Sequence, residues 1–257
     1  MTILSLPQLQ AEFDDPTGGP LPAGVSARPR LVMVLGGRPP SSQWLKRVAG
    51  GSIWAVDRGA DACMSAGVVP NLALGDFDSI SLTGLGWLIG RGVEMERHSP
   101  DKDLTDFQLA LRRAGAADVL VTGCWGGREP RFDHMFANVF SALWAREWGA
   151  RVLAMADDSE VLLPLFDGAV TLSFYRPPSA VSLLPLTPMC GSVSASGVKW
   201  PLDGAELVQG RPYAISNVPA AGTQVPADQS VPADQQVRVA LEEGAMGVYC
   251  AFAKGGA

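Results

Sequence analysis

The chain has 257 residues, 47% of them hydrophobic and 18% charged, with a formal net charge of −6. That length suits one large domain or two small ones with a buried core, and the composition is globular rather than disordered. An acidic chain without clustered basic side chains is excluded from a sequence-blind grip on nucleic acid or anionic lipid, whereas a phosphorylated ligand stays open to it if a metal ion bridges the charges. Cys63, Cys124, Cys190 and Cys250 are far apart and form neither a zinc knuckle nor a redox pair, so they read as reduced, packed thiols of a cytoplasmic protein. No apolar run approaches the roughly 20 residues of a membrane helix, and the N-terminus lacks the basic-then-apolar pattern of a secretory signal. With only two histidines, His98 and His134, chemistry that needs several imidazoles is excluded.

In chain order, residues 1–28 hold Pro, Gly and acidic residues without a sustained period, and read as a loosely ordered extension. "RLVMVLGG" reads as a buried strand and tight turn, "SIWAVDRGA" as a second strand ending at Asp57, and "ADACMSAG" as a short helix stopped by Gly67. "NLALGDFDS" is a third strand entering a loop. "TDFQLALRRAG" has helical apolar spacing, with two arginines suited to the C-terminal dipole. "ADVLVTGC" and "ARVLAMADD" are further strands, on either side of the helical pattern "FDHMFANVFSALWAREWG". Strands alternating with helices predict an α/β catalytic domain over residues 29–162, with an open, mainly parallel sheet. From residue 163 to 257, "AVTLSFY", "AVSLLPLT", "GSVSASGVKWPL", "RPYAISN" and "QVRVALEEGAMGVYCAF" read as short strands of a smaller all-β domain, a β-sandwich. The repeated VPADQ inside it reads as a mobile loop.

Ligands of open α/β sheets bind beyond the carboxyl ends of the strands. Asp57, Asp76, Asp78, Gly123 and Asp157 all follow strands at that edge. Asp76 and Asp78 are two apart in an extended segment, so they point the same way and repel unless a proton or cation lies between them. Magnesium resolves such a pair because it takes a few carboxylates plus phosphate oxygens, while the plain alternative is a turn or capping pair. Asp101, Asp103 and Asp106 crowd the start of a helix, where acids cap free N–H groups, and where phosphate also binds. In "GCWGGREPRFDHMFANV", Arg128 and Arg131 offer forks for phosphate oxygens. There Asp133 is either a site residue or the helix N-cap, and His134 either a ligand or a packed side chain. A haloacid-dehalogenase-like phosphatase also uses Asp-x-Asp, but here the only lysine between Asp78 and Asp157 is Lys102, which precedes Thr122, the wrong order for that chemistry.

Taken together, "VDRGA", "GVVPNLALGDFDS", "DKDLTD", "RFDH" with "AN", "SLLPLT", "SGVKWPLDGAEL" and "ISN" resemble the thiamine pyrophosphokinase (thiamine diphosphokinase) family over residues 30 to 218 and the final strands. The resemblance implies transfer of diphosphate from ATP to the hydroxyl of thiamine, with release of AMP, by a homodimer with sites between subunits. It implies Mg2+ on Asp76, Asp78 and Asp103, which would also be the catalytic acids. It further implies contacts to ATP from Asp57, Arg58, Thr105, Asp106 and Arg131, and to thiamine from Asp133, His134, Ser216 and Asn217. Neither nucleic acid nor membrane is an implied partner. The family's Gly-Gly-Arg before Asp-His is split here, with Arg131 rather than Arg128 at the family spacing from Asp133 and Pro130 in place of a glycine. A related diphosphokinase for a hydroxymethylpterin and a non-catalytic thiamine- or nucleotide-binding regulator are the rival expectations.

Overall fold

The structure is a computed structural model that describes residues 1–14, 27–126, 131–220 and 236–253. Its strands are β1 (Thr2–Ser5), β2 (Leu9–Asp14), β3 (Arg30–Val34), β4 (Ser52–Val56), β5 (Leu72–Gly75), β6 (Glu94–Arg97), β7 (Asp118–Thr122), β8 (Arg151–Ala156), β9 (Glu160–Phe174), β10 (Ala180–Pro185), β11 (Met189–Ser196), β12 (Leu202–Val208) and β13 (Val237–Ala251). The helices are α1 (Ser42–Val48), α2 (Gly59–Ala66), α3 (Leu82–Gly90), α4 (Asp106–Ala114) and α5 (Phe132–Trp144), the last followed by a 3-10 turn. The chain divides into two compact units, one of Gly18–Asp157 and one of Met1–Thr17 with Asp158–Ala257.

In the first unit the strands lie in the order β8-β7-β3-β4-β5-β6, every neighbouring pair parallel. β5 and β7 are buried along their whole length, as apolar runs between crossover helices must be. α2 ends where Gly67 turns left-handed at φ 67, so the helix stops before Pro70, which leads into β5. α4 buries Phe107, Ala110 and Leu111, a helical stripe, and starts at a capping box in which Thr105 and Gln108 satisfy each other's backbone N–H groups. At the opposite end of the sheet, Arg151 holds Asp118 through two bonds of 2.7 Å and joins the starts of β7 and β8. The order reverses between β3 and β7, because the chain runs outward from β3 to β6 and then returns to β3's other side. At the carboxyl edge there, where such sheets bind their ligands, the loops after β3 and β7 are joined, the Gly37 N–H donating to the Gly123 carbonyl at 2.7 Å and the Arg38 N–H to the Trp125 carbonyl at 2.8 Å.

The second unit is all-β. β13 pairs antiparallel with β9 along nearly its full length, broken by an irregularity between Leu241 and Ala245. Its other edge is divided: β11 takes the first half and β10 the second. Strands that change partner at a bulge are the corners from which sandwiches are built. β12 extends β11, and β2 with β1 extends β9.

Residues 2–14 correct the expectation of a loose extension over 1–28. Leu9, Ala11 and Phe13 alternate inward on β2 and are 0%, 0% and 1% exposed, and β2 lies between β1 and β9, so this segment is a two-stranded part of the β unit despite its distance in sequence. The dividing point between units falls at Asp157/Asp158, five residues before the expected boundary, because β9 begins already at Glu160. "RPYAISN" forms an extended loop with a single bridge, Asn217 to Val181, in place of the expected strand. The VPADQ repeat, Arg128 and Pro130 lie outside the described residues. All four cysteines are buried free thiols, and burial pushes Cys63 and Cys250 up to about 12, which keeps them unreactive. If β2 is part of the core, Phe13→Ala costs roughly 3–5 kcal/mol in urea unfolding. A loss under about 1 kcal/mol would mean that the segment frays.

Candidate active site

Three carboxylates converge at the carboxyl edge of the parallel sheet. Asp57 follows β4, Asp76 follows β5 and Asp106 opens α4; all three are half-buried, and one oxygen of each lies within 4.8 Å of the others. Local backbone makes this possible. Asp57 and Phe77 are both held at positive φ, 47° and 62°, conformations that cost energy outside glycine and collect at functional sites. Gly75 has φ 143°, and a Cβ there would lie 1.8 Å from Asp57 Oδ1. The glycine of "GDFDS" thus leaves the space that the Asp57 carboxylate occupies. The loop's far end is pinned by Asp61, which accepts from the backbone N–H and the hydroxyl of Ser81, the N-cap of α3.

Lys102 neutralises part of this charge. Its Nζ lies 2.9 Å from Asp106 Oδ2 and 3.5 Å from Asp76 Oδ2, with its side chain only 16% exposed. Burial opposes its charge, but the bond and charge of Asp106, then of Asp76, outweigh burial and raise its pKa. The Asp78 backbone N–H donates to Asp76 Oδ1 at 3.1 Å and holds that carboxyl below its usual range, aided by Lys102 against the opposing effect of burial. Asp78 itself is exposed, and the Asp76 charge raises its pKa. Asp57 is pushed up to about 7, first by burial and then by the charge of Asp106, with Asp76 adding and the Phe77 N–H and Lys102 opposing.

The residues named from sequence are sorted by this geometry. Asp57, Asp76 and Asp106 meet, with Asp78 on the exposed side of Asp76. Asp103, expected as the third metal-binding acid, lies exposed outside the three-carboxylate cluster, because the helix start turns Asp106 inward instead. Thr105 is the N-cap of α4, its hydroxyl accepting from the Gln108 N–H at 3.2 Å. Arg58 donates twice to the Gly36 carbonyl, at 3.0 and 2.6 Å, and ties the loop after β3 to that after β4. Arg131 occupies the N-cap position of α5 and grips Asp133 through bonds of 3.0 and 2.5 Å. Asp133 is therefore in the first turn and is not the N-cap, and the Arg131 hydrogen bond brings its carboxyl down to about 2. His134 is exposed on the same turn.

In the β unit, Ser216 sits at φ 60° and its N–H donates to Ser182 Oγ at 2.9 Å. The Asn217 amide donates to the Trp200 carbonyl at 2.7 Å and accepts from its N–H at 3.2 Å, and so fixes the backbone that presents a 56% exposed indole. Three participants went unassigned in the sequence reading. Arg38 follows the glycine pair after β3 and pairs with buried Asp157, which follows β8, at 2.6 Å. The glycine-rich turn directly after the first parallel strand was its available signal. Lys102 and His98 carry no such pattern.

Fold and site together define a class: an open α/β unit with a carboxylate cluster where its strands end, followed by an all-β unit. The family model "Thiamin pyrophosphokinase, catalytic domain" matches residues 50–154, and "Thiamin pyrophosphokinase, vitamin B1 binding domain" matches residues 171–227. The thiamine pyrophosphokinase of Bacillus subtilis (strain 168) is 26% identical over 171 residues, covering 65% of this chain and 78% of that protein. Thiamine pyrophosphokinase 1 of Oryza sativa subsp. japonica is 26% identical over 160 residues, covering 58% of this chain and 59% of that one. Among solved structures, the thiamine pyrophosphokinase of Bacillus subtilis aligns with a TM-score of 0.72 at 19% identity, over 88% of this chain and 100% of that one. That of Candida albicans aligns at 0.69 and 14%, over 87% and 89%. At these identities the structural likeness is one of fold. The chain belongs to the thiamine pyrophosphokinase family.

A carboxyl that binds its proton more tightly folded than unfolded loses stability as pH rises, here from about 4 to about 7. Asn tolerates positive φ as Asp does. Asp57→Asn is therefore expected to raise the melting temperature of chelator-treated protein near pH 8, by the equivalent of roughly 1–2 kcal/mol, and to change it little near pH 4. Equal melting of both proteins near pH 8 would contradict the crowding of charge described here.

Proposed function

We propose that this chain transfers diphosphate from ATP to the hydroxyl of thiamine, giving thiamine diphosphate and AMP. The observation that carries the reading is the convergence of Asp57, Asp76 and Asp106 at the strand ends of a chain in this family. The donor set fits Mg2+: all three groups are hard oxygen ligands, half-buried and close enough to share one cation. Asp57, Asp76 and Asp106 would hold it, and when bound it would neutralise phosphate charge. ATP is assigned to the carboxyl edge of the parallel sheet, beside the loop after β3 that carries Arg38, whose guanidinium is paired with Asp157.

The hydroxyl oxygen of thiamine bonds to the β-phosphorus as the bond from that phosphorus to the α-phosphate's bridging oxygen breaks, and AMP leaves. Such transfer depends chiefly on alignment and charge neutralisation. Lys102 adds positive charge where the phosphates meet the acids. The hydroxyl proton is assigned to Asp78, which lies outside the three-acid cluster and whose affinity for a proton is raised by Asp76. Thiamine's aromatic rings suit stacking on the exposed indole of Trp200, which is held by Asn217 and carries the Lys199 ammonium 4.6 Å from its ring centroid. A homodimer with sites between subunits remains part of this reading, as does a cytoplasmic location. Among the described residues no helix is long and apolar enough to cross a membrane.

The test is AMP release from ATP and Mg2+, with thiamine or a hydroxymethylpterin as acceptor. Thiamine-dependent AMP is expected; ADP as product, or AMP only with the pterin, would overturn the assignment. Asp76→Asn should raise the Mg2+ concentration needed for half-maximal rate. Asp78→Asn should lower kcat by roughly 100-fold or more at an unchanged Mg2+ requirement. Near-normal turnover of folded Asp78→Asn would remove its assigned role.

A further inference from the structure

The cluster's own support extends beyond the acids. His98 follows the edge strand β6, and its backbone N–H donates to the Gly75 carbonyl at 2.8 Å, one residue before Asp76. Its ring lies between two carboxylates: Nδ1 is 3.1 Å from Asp106 Oδ1 and Nε2 is 3.0 Å from Glu96 Oε1. The side chain is only 14% exposed. Glu96 and His98 are two apart in extended chain and so share a side of the strand, which is what lets the carboxylate reach the ring. Glu96 is held in turn by Arg113 Nε at 3.2 Å, from the last turn of α4.

We propose that His98 is a positioning residue that fixes the Asp106 carboxylate within the three-aspartate cluster, with Glu96 and Arg113 fixing the ring behind it. The inference rests on the cation reading above. Asp106 is not needed as a helix cap, because Thr105 caps α4. Its carboxylate is thus free to rotate, and repulsion from Asp57 and Asp76 drives it outward. Two contacts oppose that rotation, one per oxygen: Lys102 on Oδ2 and His98 on Oδ1. Lys102 also reaches Asp76 and is itself a cation, so it competes for the same oxygens that would hold a metal ion. His98 instead takes Oδ1 of Asp106, the oxygen that Lys102 does not hold, and leaves Oδ2 for the centre. The same residue ties Gly75 through its backbone, so one position braces two of the three segments that carry the acids, the end of β5 and the start of α4.

Binding of Mn2+ to the full chain without ATP, followed by the paramagnetic resonance signal of free Mn2+, tests this apart from turnover. Hydrogen-bond partners behind metal ligands are worth 10–100-fold in affinity. His98→Leu is expected to weaken Mn2+ by about 10-fold or more, and His98→Gln, whose amide N–H can reach Asp106, to recover most of that loss. Glu96→Gln, at a more exposed position, should weaken Mn2+ by a smaller factor and add nothing once His98 is Leu; it serves also if His98→Leu does not fold. Folded His98→Leu that binds Mn2+ within about 2-fold of the parent, while Asp106→Asn loses it, would overturn the proposal alone. Unchanged binding by Asp106→Asn would overturn the cation reading beneath it.

Discussion

Three carboxylates held within 4.8 Å repel one another, and much of the α/β unit's local structure exists to hold them there. Asp57 is raised first by burial and then by the charge of Asp106, and the ammonium group of Lys102 lies among the acids despite its burial. Each acid is delivered by a separate element: the end of β4, the end of β5 and the first turn of α4. None of these can shift without moving a charge, so the cluster constrains the sheet edge as much as the sheet constrains the cluster.

Small backbone devices make the arrangement possible. Gly75 vacates the volume of the Asp57 carboxylate, and Asp57 and Phe77 accept positive φ around it. Asp61 pins the loop from below, and the Thr105–Gln108 box relieves Asp106 of capping duty. An Asp at a helix start is usually a cap, and only with the cap supplied elsewhere is its carboxylate released for chemistry. The β unit works in a similar way: Asn217 spends its amide on the Trp200 backbone, so what it contributes to a surface is an oriented indole.

The parallel strands were legible in sequence because buried βαβ strands are short apolar runs closed by glycine or aspartate. "GDFDS" and "DKDLTD" likewise announced acids at the right edge. What stayed hidden depended on contacts between distant segments. β1 and β2 look unpatterned until β2 pairs with the distant β9, Leu9 opposite Phe174 and Phe13 opposite Val170. β6 is a half-exposed, charged edge strand, the kind periodicity misses. The choice of Asp106 over Asp103 turned on where α4 begins, and a shift of a single residue at a helix start changes which side chain faces inward. Lys102 and His98 act through their neighbours and carry no motif of their own.

The account as a whole depends on the three aspartates acting as one cation site. An anomalous difference map from crystals of this protein grown with Mn2+ and a non-hydrolysable ATP analogue addresses that directly. The account predicts a peak bounded by the carboxylates of Asp57, Asp76 and Asp106. A peak held elsewhere, or an Asp57–Asp76–Asp106 cluster that stays without one while the analogue is bound, would contradict it.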